Sequence, residues 1–276
     1  MELHFHILAE ETVRRAGLLA EHGLSVYLEF RGKRFLFDTG QMWALQWNAA
    51  RLHLDLSSLD FIVLSHGHYD HTGGLEKVLQ TCRRKCPIFA HPDIFQKKVH
   101  RKQAEERFIG MPLSQERYES LGADFHLGTK WREIESGLFL TGEIPRKTNF
   151  ETVESEFAVQ TEGKLVPDPI RDDQALVLET SKGPVVFLGC GHSGLVNTLQ
   201  AVQHELGLDY FYAVIGGFHL VQASETRIRR TVSELKKISF RYISPMHCTG
   251  FRARTAIFRA FPKQFLDLHV GNECEF

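Results

Sequence analysis

The sequence has no excess of charge of either sign, because 33 lysine and arginine residues oppose 34 aspartate and glutamate residues. A chain without a strong overall field does not attract nucleic acid or an anionic membrane surface as a whole, so neither partner is expected. Long apolar runs are also missing. The longest, residues 210–221, contains two glycines and a histidine and is much shorter than the roughly 20 residues of a membrane span.

Cysteine is scarce, and its five positions are spaced unevenly along the chain. An odd number of scattered cysteines does not indicate a disulfide framework and is typical of reduced thiols in the cytoplasm. The first ten residues also lack the basic and apolar segments of a secretory signal peptide. We therefore expect a cytoplasmic protein; its oligomeric state, including a homo-oligomer, stays open.

Short apolar runs that end at turn residues recur along the chain and predict β-strands. They cover residues 3–8, 24–30, 34–37, 61–64, 87–90, 137–140, 175–179, 184–188, 211–215 and 241–243. Apolar residues at helical spacing predict helices near residues 75–82, 195–206 and 228–235. The mixture predicts sheets with helices packed outside them, and the length allows one domain over residues 1–276.

Residues 92–136 differ from the rest in composition, with few β-branched residues and many lysines, arginines, glutamines and glutamates. We interpret them as a helical insertion between two strands of the same domain. Two roles are open for this segment: a solvated helical face, or a basic lid over an anionic substrate.

The most informative stretch is S-H-G-H-Y-D-H-T-G-G, which directly follows the apolar run 61–64. Four metal-competent side chains, His66, His68, Asp70 and His71, fall within six positions, and the neighbouring glycines allow the tight turns that let them converge. His66 and His68 could bind one ion, and Asp70 and His71 could bind a second. Imidazole together with a hard carboxylate suits Zn²⁺, Mn²⁺ or Fe²⁺.

This stretch resembles the H-x-H-x-D-H signature of the metallo-β-lactamase superfamily, and F-D-T-G at 37–40 resembles the strand end upstream of it. Six further motifs are similar to those of its class II metal-dependent hydrolase branch, which includes archaeal dihydropterin–ribofuranosylaminobenzene phosphate synthases. They are E-H-G-L-S (21–25), T-G-E-I-P-R (141–146), D-D-Q-A-L (172–176), G-C-G-H-S-G (189–194), G-G-F-H-L (216–220) and M-H-C-T-G (246–250). The resemblance spans nearly the whole chain. It implies an αββα sandwich of two mixed β-sheets with helices outside, and a one- or two-metal centre at the sheet edge.

The resemblance also implies further metal ligands on later strand ends. His247 suits the last histidine of the family pattern, and His192 is the ligand expected from the G-C-G-H-S-G turn. Cys190 stands where the family's T-G-D turn supplies a bridging aspartate; it is either a thiolate ligand or a buried neighbour. Asp173 could bind metal, orient a ligating imidazole or contact the substrate.

Three more residues have two interpretations each. Arg146 could hold a phosphate or carboxylate in its guanidinium fork or be a solvated side chain. His219, between two glycines and a helix, could face the substrate or be structural. Ser193 is not the nucleophile of a G-x-S-x-G motif, because Leu195 occupies the last glycine position. We expect Ser193 to cap the following helix, whose N-terminal amides could hold an anion.

The reaction that these residues imply is metal-assisted hydrolysis of an anionic, phosphate-ester-like or ester-type small molecule. One or two divalent ions, Zn²⁺ first and Mn²⁺ or Fe²⁺ as alternatives, would lower the pKa of bound water to near 7 and give a hydroxide nucleophile. Asp70 would be a ligand that also accepts a proton from that water.

One alternative function is a transferase that condenses a pterin pyrophosphate with a ribofuranosylaminobenzene phosphate-like acceptor. Another is a non-catalytic metal-binding sensor. A cavity large enough for a flat heterocycle would favour the transferase, and a small water-accessible site would favour the hydrolase.

Overall fold

The computed structural model describes residues 2–103 and 105–276 of the chain. Its strands are β1 Leu3–Ala9, β2 Ser25–Phe30, β3 Lys33–Phe37, β4 Phe61–Val63, β5 Cys86–Ala90, β6 Lys98–Lys102, β7 Glu105–Phe108, β8 Ala123–Leu127, β9 Arg132–Glu135, β10 Leu138–Leu140, β11 Phe157–Thr161, β12 Lys164–Pro167, β13 Ala175–Thr180, β14 Gly183–Leu188, β15 Tyr210–Gly217, β16 Ser239–Met246 and β17 Glu273–Glu275. Its α-helices are α1 Ala44–Arg51, α2 Tyr69–Thr72, α3 Leu75–Thr81, α4 Gln115–Ser120, α5 Leu195–Leu206, α6 Glu225–Leu235 and α7 Gly250–Ala260.

Two large mixed sheets form the centre of the fold. The first has the strand order β17-β1-β2-β3-β4-β5-β8, and the second has the order β16-β15-β14-β13-β10-β9. Their inner faces share one apolar core, in which Phe5 of the first sheet meets Phe187 of the second at a ring-centroid distance of 5.2 Å. Helices α1 and α3 pack on the outer face of the first sheet, and α5, α6 and α7 pack on that of the second. The predicted αββα sandwich of the metallo-β-lactamase fold is therefore confirmed.

Alternation along β1 shows how the sequence specifies these layers. Leu3, Phe5 and Ile7 are fully buried between the sheets, whereas His4 and His6 lie on the opposite face because successive side chains of a strand point to opposite sides. All the predicted strands and the three predicted helices are present, with ends shifted by a few residues at most. None of the described helices is long and apolar enough to cross a membrane.

The prediction that residues 92–136 form a helical insertion is wrong. The segment contains the short helix α4 and four strands, of which β6 and β7 join β11 and β12 in a third, antiparallel sheet. Its charges pair across strands rather than along a helix, since Arg101 lies opposite Glu106 and Lys102 opposite Glu105. Opposite charges in such positions stabilise a hairpin, so the polar composition is compatible with strands. That residues 1–276 are one domain and that this segment is a lid remain predictions.

Candidate metal centre

The candidate ligands lie at the carboxyl ends of strands in both sheets. His66 and His68 follow β4, which pairs in parallel with β3 and β5, and Asp70 lies in the short helix α2. His192 follows β14 and His247 follows β16, on either side of β15 with which both pair in parallel. Parallel strands bring their carboxyl ends to one edge of a sheet, where ligands commonly bind. The predicted residues therefore meet although up to 181 positions separate them along the chain.

One group of candidate ligands consists of three buried histidines, His66, His68 and His192. Nδ1 of His68 lies 2.9 Å from Nε2 of His66 and 3.2 Å from Nε2 of His192. The three nitrogen atoms therefore converge on one point. Burial holds the pKa of each of these imidazoles well below its ordinary value, so all three are neutral, which is the protonation state that binds a metal.

A second group consists of Asp70, His71, Cys190 and His247, all of them buried. Nε2 of His71 lies 3.2 Å from Sγ of Cys190 and 3.2 Å from Nε2 of His247, and the sulfur lies 3.3 Å from His247 Nε2. The Asp70 carboxylate reaches both imidazoles, at 3.7 and 3.5 Å. Burial alone would raise the pKa of Asp70, but His71 and His247 hold it well below its usual range.

Hydrogen bonds of Nδ1 in His66 and His71 determine which nitrogen atom of each of these rings faces the centre. The Ser65 hydroxyl donates to Oδ2 of Asp38 at 2.7 Å, so at 2.9 Å it must accept a hydrogen bond from Nδ1 of His66. Nδ1 of His71 donates to the same carboxylate oxygen at 2.7 Å. Both rings therefore present an unprotonated Nε2 to the centre. Asp38 itself has a φ of 59°, an uncommon conformation for a residue other than glycine and one that clusters at functional sites.

Glu11 orients the His247 ring so that Nε2 faces the centre, since its carboxylate accepts a hydrogen bond from Nδ1 of that ring at 2.7 Å. Nε2 of His71 and Nε2 of His247 lie 3.2 Å apart, so their lone pairs repel one another unless a proton or a cation lies between them. Burial alone would lower the pKa of His247, but Cys248, Asp70 and Glu11 hold it well above its ordinary value, so a proton and a metal ion are alternatives at this position. Ligand atoms 2.0–2.1 Å from a tetrahedral ion are about 3.3 Å apart, which is close to the spacings in both groups. The donor sets therefore fit two divalent ions, one in the three-histidine group and one in the group that contains Asp70.

The hydrogen bonds of Asp38 lead to the first prediction. Asp38→Asn replaces a carboxylate oxygen that accepts two hydrogen bonds, so the His71 ring loses its orientation and its basicity. We expect metal affinity to fall about 10- to 100-fold, as is usual when such an outer partner is lost, measured by competition with a chromogenic chelator. The control is Asp124→Asn, a half-exposed carboxylate on β8; an equal loss in both variants would contradict the prediction.

Asp173 contacts the turn that carries His192 but is not itself in a candidate ligand group. It is absent from the described groups of ligand atoms that could share a metal, and its Oδ2 accepts a hydrogen bond from the backbone N–H of Ser193 at 2.7 Å. Arg146 donates to the carbonyl of Ile170 at 3.2 Å and lies 3.5 Å from the Ser193 hydroxyl. Of the three roles predicted for Asp173, these contacts favour the one in which it orients the imidazole of His192. Arg146 contacts the same turn rather than the cavity.

The N-terminus of α5 is capped by a different residue from the one predicted. The Ser193 hydroxyl makes no capping hydrogen bond, and Gly194, with a φ of 100°, is the N-cap residue. The first-turn amides of Val196 and Asn197 instead donate to the buried carboxylate of Glu151, both at 2.9 Å. These helix N-terminal amides therefore hold a carboxylate of the chain itself, which leaves them unavailable to an anionic substrate.

The centre opens into a cavity of about 1040 Å³. His219 lines this cavity, with its ring centroid 4.0 Å from that of His192 and its Nε2 3.2 Å from Oε2 of Glu154. Of the two interpretations of His219, this position favours the one that faces the substrate. Its φ of 45° is again in the left-handed region, where strain is typical of functional residues.

Two polar residues that contribute to the site, Glu11 and Lys98, are not among the predicted site residues, whereas the E-H-G-L-S motif already points to His22. Glu11 accepts hydrogen bonds from both His247 and His22, and Nε2 of His22 lies 3.3 Å from Oδ2 of Asp70. Lys98 is fully buried behind the H-G-H turn. An isolated glutamate or lysine gives no signal comparable to such a motif.

Comparison with known proteins gives a consistent result. A profile of the metallo-β-lactamase superfamily matches residues 19–194. The chain is 36% identical over 268 residues to 7,8-dihydropterin-6-methyl-4-(β-D-ribofuranosyl)-aminobenzene-5'-phosphate synthase of Methanocaldococcus jannaschii, with 93% of this chain and 90% of that protein covered. It is 35% identical over 265 residues to the uncharacterized protein MJ0448 of the same organism, with 96% and 97% covered.

Among solved structures, the fold is similar to that of Tm1679, described as a metal-dependent hydrolase of the β-lactamase superfamily. The TM-score is 0.86 at 27% sequence identity, and 99% of each chain is covered. The fold and the order of its elements are therefore shared from end to end.

Proposed function

Because the chain belongs to the metallo-β-lactamase superfamily, we propose that it is a metal-dependent hydrolase of a bulky, anionic, phosphate-ester-like substrate. The observation that carries this proposal is the pair of buried ligand groups, His66–His68–His192 and Asp70–His71–Cys190–His247, at the edge of one large cavity. Divalent ions bound there would act as Lewis acids and lower the pKa of water. We propose Zn²⁺ for both positions, since imidazole and thiolate donors suit it.

The chain's own residues have distinct parts in this proposal. His66, His68 and His192 would hold one ion, and Asp70, His71, Cys190 and His247 would hold the other. Asp70 lines the cavity and could also accept a proton from water, because its carboxylate remains ionised. His219 lies beside His192, where it can orient the substrate.

The walls of the cavity support a substrate that has both a ring and a negative charge. Five aromatic side chains line it, namely Tyr69, Phe157, Phe251, Phe258 and Phe265. Three arginines, Arg14, Arg107 and Arg254, are among the residues that line it, as is His100. Arg14 and Arg254 already pair with Asp267, each at 2.7 Å, whereas Arg107 has no carboxylate partner among the described residues. An aromatic wall with a free guanidinium suits a planar ring that carries a phosphate.

The second candidate function is a transferase, and the size of the cavity favours it. Ligand pockets usually measure about 300–1,000 Å³, so this cavity is large enough for two ring systems. The M. jannaschii relative is named as a synthase of a pterin–aminobenzene phosphate compound. In such a reaction the amine nitrogen of an aminobenzene acceptor bonds to the pterin methylene carbon, the C–O bond to pyrophosphate breaks, and the nitrogen loses a proton to a base.

One experiment separates the two functions. The Zn²⁺-loaded protein is incubated with a hydroxymethyldihydropterin pyrophosphate, with and without ribofuranosylaminobenzene phosphate, and in parallel with phosphomonoester, phosphodiester, lactone and thioester panels. Ester cleavage without acceptor supports the hydrolase. Pyrophosphate release that requires the acceptor, with a coupled product seen by mass spectrometry, supports the transferase. If the metal-loaded protein turns over neither set, both proposals fail and a metal-binding sensor is favoured. Cytoplasmic localisation remains a prediction.

A further inference from the structure

A second cluster of metal-competent side chains lies far from the centre, at the opposite end of β1. His4 and His6 of β1 and Glu273 of β17 each offer one ligand atom, and these three atoms lie within 4.8 Å of one another. Glu10, which lines the cavity, follows His4 by six residues, or about 20 Å along an extended chain. Neither the proposed reaction nor the core packing uses this cluster.

Sheet geometry brings the three side chains to the same face. His4 and His6 are two residues apart on one strand, so both point away from the core that Leu3, Phe5 and Ile7 fill. β17 pairs antiparallel with β1, and Glu273 lies directly opposite His6. The result is an H-x-H pair on one strand and a carboxylate on its neighbour.

The three side chains are close enough to share one ion. Nε2 of His4 is hydrogen-bonded to Oε1 of Glu273 at 2.7 Å, a contact that an ion would replace, and the same oxygen lies 3.9 Å from Nε2 of His6. These two values bracket the separation of about 3.3 Å expected between ligand atoms of a tetrahedral ion. The imidazole rings have centroids 4.7 Å apart and planes at 73°, so their nitrogen atoms approach one point without stacking.

His6 provides an independent observation that points to a ligand. The residue is 6% exposed, and its Nδ1 is buried without a hydrogen-bond partner among the described residues. Its Nε2 is too far from Glu273 for a hydrogen bond. A buried imidazole in this state requires an explanation, such as a water molecule or an ion.

Neighbouring charges favour a cation at this position. Glu29 lies opposite His4 on β2, and Glu275 lies opposite His4 on β17. Three carboxylates therefore lie beside two imidazoles on adjacent strands, with Arg15 near Glu273 and Arg34 opposite Glu29 on β3. Imidazole nitrogen with carboxylate oxygen selects late divalent ions such as Zn²⁺ rather than Ca²⁺ or Mg²⁺.

We propose that His4, His6 and Glu273 form a third, peripheral site for a divalent transition ion of the Zn²⁺ class, with solvent completing its coordination. The ion links the first strand of the chain to the last. Since β17 is a three-residue edge strand, a ligand bound across it stabilises the folded state by mass action. The site is independent of the proposed reaction.

The test uses Zn²⁺ as the probe on the full chain. Wild type, His4→Ala and Glu273→Gln are equilibrated with micromolar Zn²⁺, desalted and analysed by elemental mass spectrometry, with turnover measured in parallel. We expect each variant to hold one ion fewer per chain than wild type, to bind that ion at least tenfold more weakly and to keep its turnover. The Zn²⁺-dependent rise in melting temperature should shrink in both.

His126→Ala is the matched control, because this exposed histidine on β8 pairs with Asp124 at 3.4 Å in the same sheet and should lose no ion. Glu273 has a side chain that is 57% exposed, so Glu273→Gln tests the site even if a histidine variant misfolds. Equal ion content in wild type and Glu273→Gln would overturn the proposal, as would occupancy that appears only at millimolar Zn²⁺.

Discussion

Replacing Asp70 by asparagine is expected to reduce turnover by about 10³-fold. The carboxylate is the one anionic oxygen donor of its group, 3.7 Å from His71 and 3.5 Å from His247. An amide of the same shape keeps the packing, but it binds metal more weakly and cannot accept a proton. A bound ion contributes several kcal/mol to transition-state stabilisation, and each 1.36 kcal/mol corresponds to a factor of ten in rate.

Turnover and ion content should be measured on the same preparations. Asp70→Asn is expected to hold one centre ion fewer than wild type, while the ion among His66, His68 and His192 remains. His66→Ala and His192→Ala should each lose that other ion instead. Asp93→Asn, a change in the turn after β5 outside both ligand groups, is the control for general effects of losing a carboxylate. Full turnover in Asp70→Asn would contradict the assignment of Asp70, and an unchanged ion count in His192→Ala would remove His192 from the ligand set.

Much of this arrangement could be predicted from the sequence because its signals are local. The H-G-H-Y-D-H stretch contains four candidate ligands within a few residues, and strand ends are visible as apolar runs that stop at glycine, aspartate or histidine. The carboxyl-end position of His192 and His247 follows from the same strand pattern. The resemblance to a known superfamily then supplied the pairing of the two sheets, which local patterns do not contain.

The remaining features could not be predicted because they depend on contacts between distant residues. Glu151 lies 45 positions from Val196, the α5 residue whose amide it accepts, and no local pattern relates the two. Strands β6 and β7 of the third sheet are predicted as helix because they are polar: their charges are neutralised by partners on the next strand, and a pattern of period two is hard to see in strands of four or five residues. Lys98 belongs to this segment, for which the sequence leaves open a solvated face or a basic lid, and it is fully buried.

The largest effect on stability is expected from that lysine. Nζ of Lys98 donates to Asp172 at 2.8 Å and to Asp168 at 3.1 Å, and all three side chains are buried. Burial alone would lower the pKa of Lys98, but the two carboxylates raise it above its usual value. Burial raises the pKa of Asp172 in turn, and Lys98 opposes that shift, so each partner of the pair stabilises the charge of the other. Lys98→Met removes the cation and leaves two buried carboxylates without it. Breaking a buried ion pair in this way costs about 3–5 kcal/mol of unfolding free energy, measurable by urea denaturation.

Lys98→Met should also weaken metal binding. Lys98 lies on a strand of the third sheet and contacts Asp172, which in turn contacts the turn that carries two candidate ligands. The other oxygen of Asp172 accepts a hydrogen bond from the backbone N–H of Gly67 at 2.7 Å, and Gly67 lies between the ligands His66 and His68. A carboxylate that loses Lys98 will become protonated or move, so this turn loses its support, and we expect metal affinity to fall about 10- to 100-fold. Lys102→Met, on the same strand but exposed, should change stability by less than about 0.5 kcal/mol and leave metal affinity intact. If Lys98→Met loses stability while binding metal as tightly as wild type, the triad stabilises the fold without positioning the ligands.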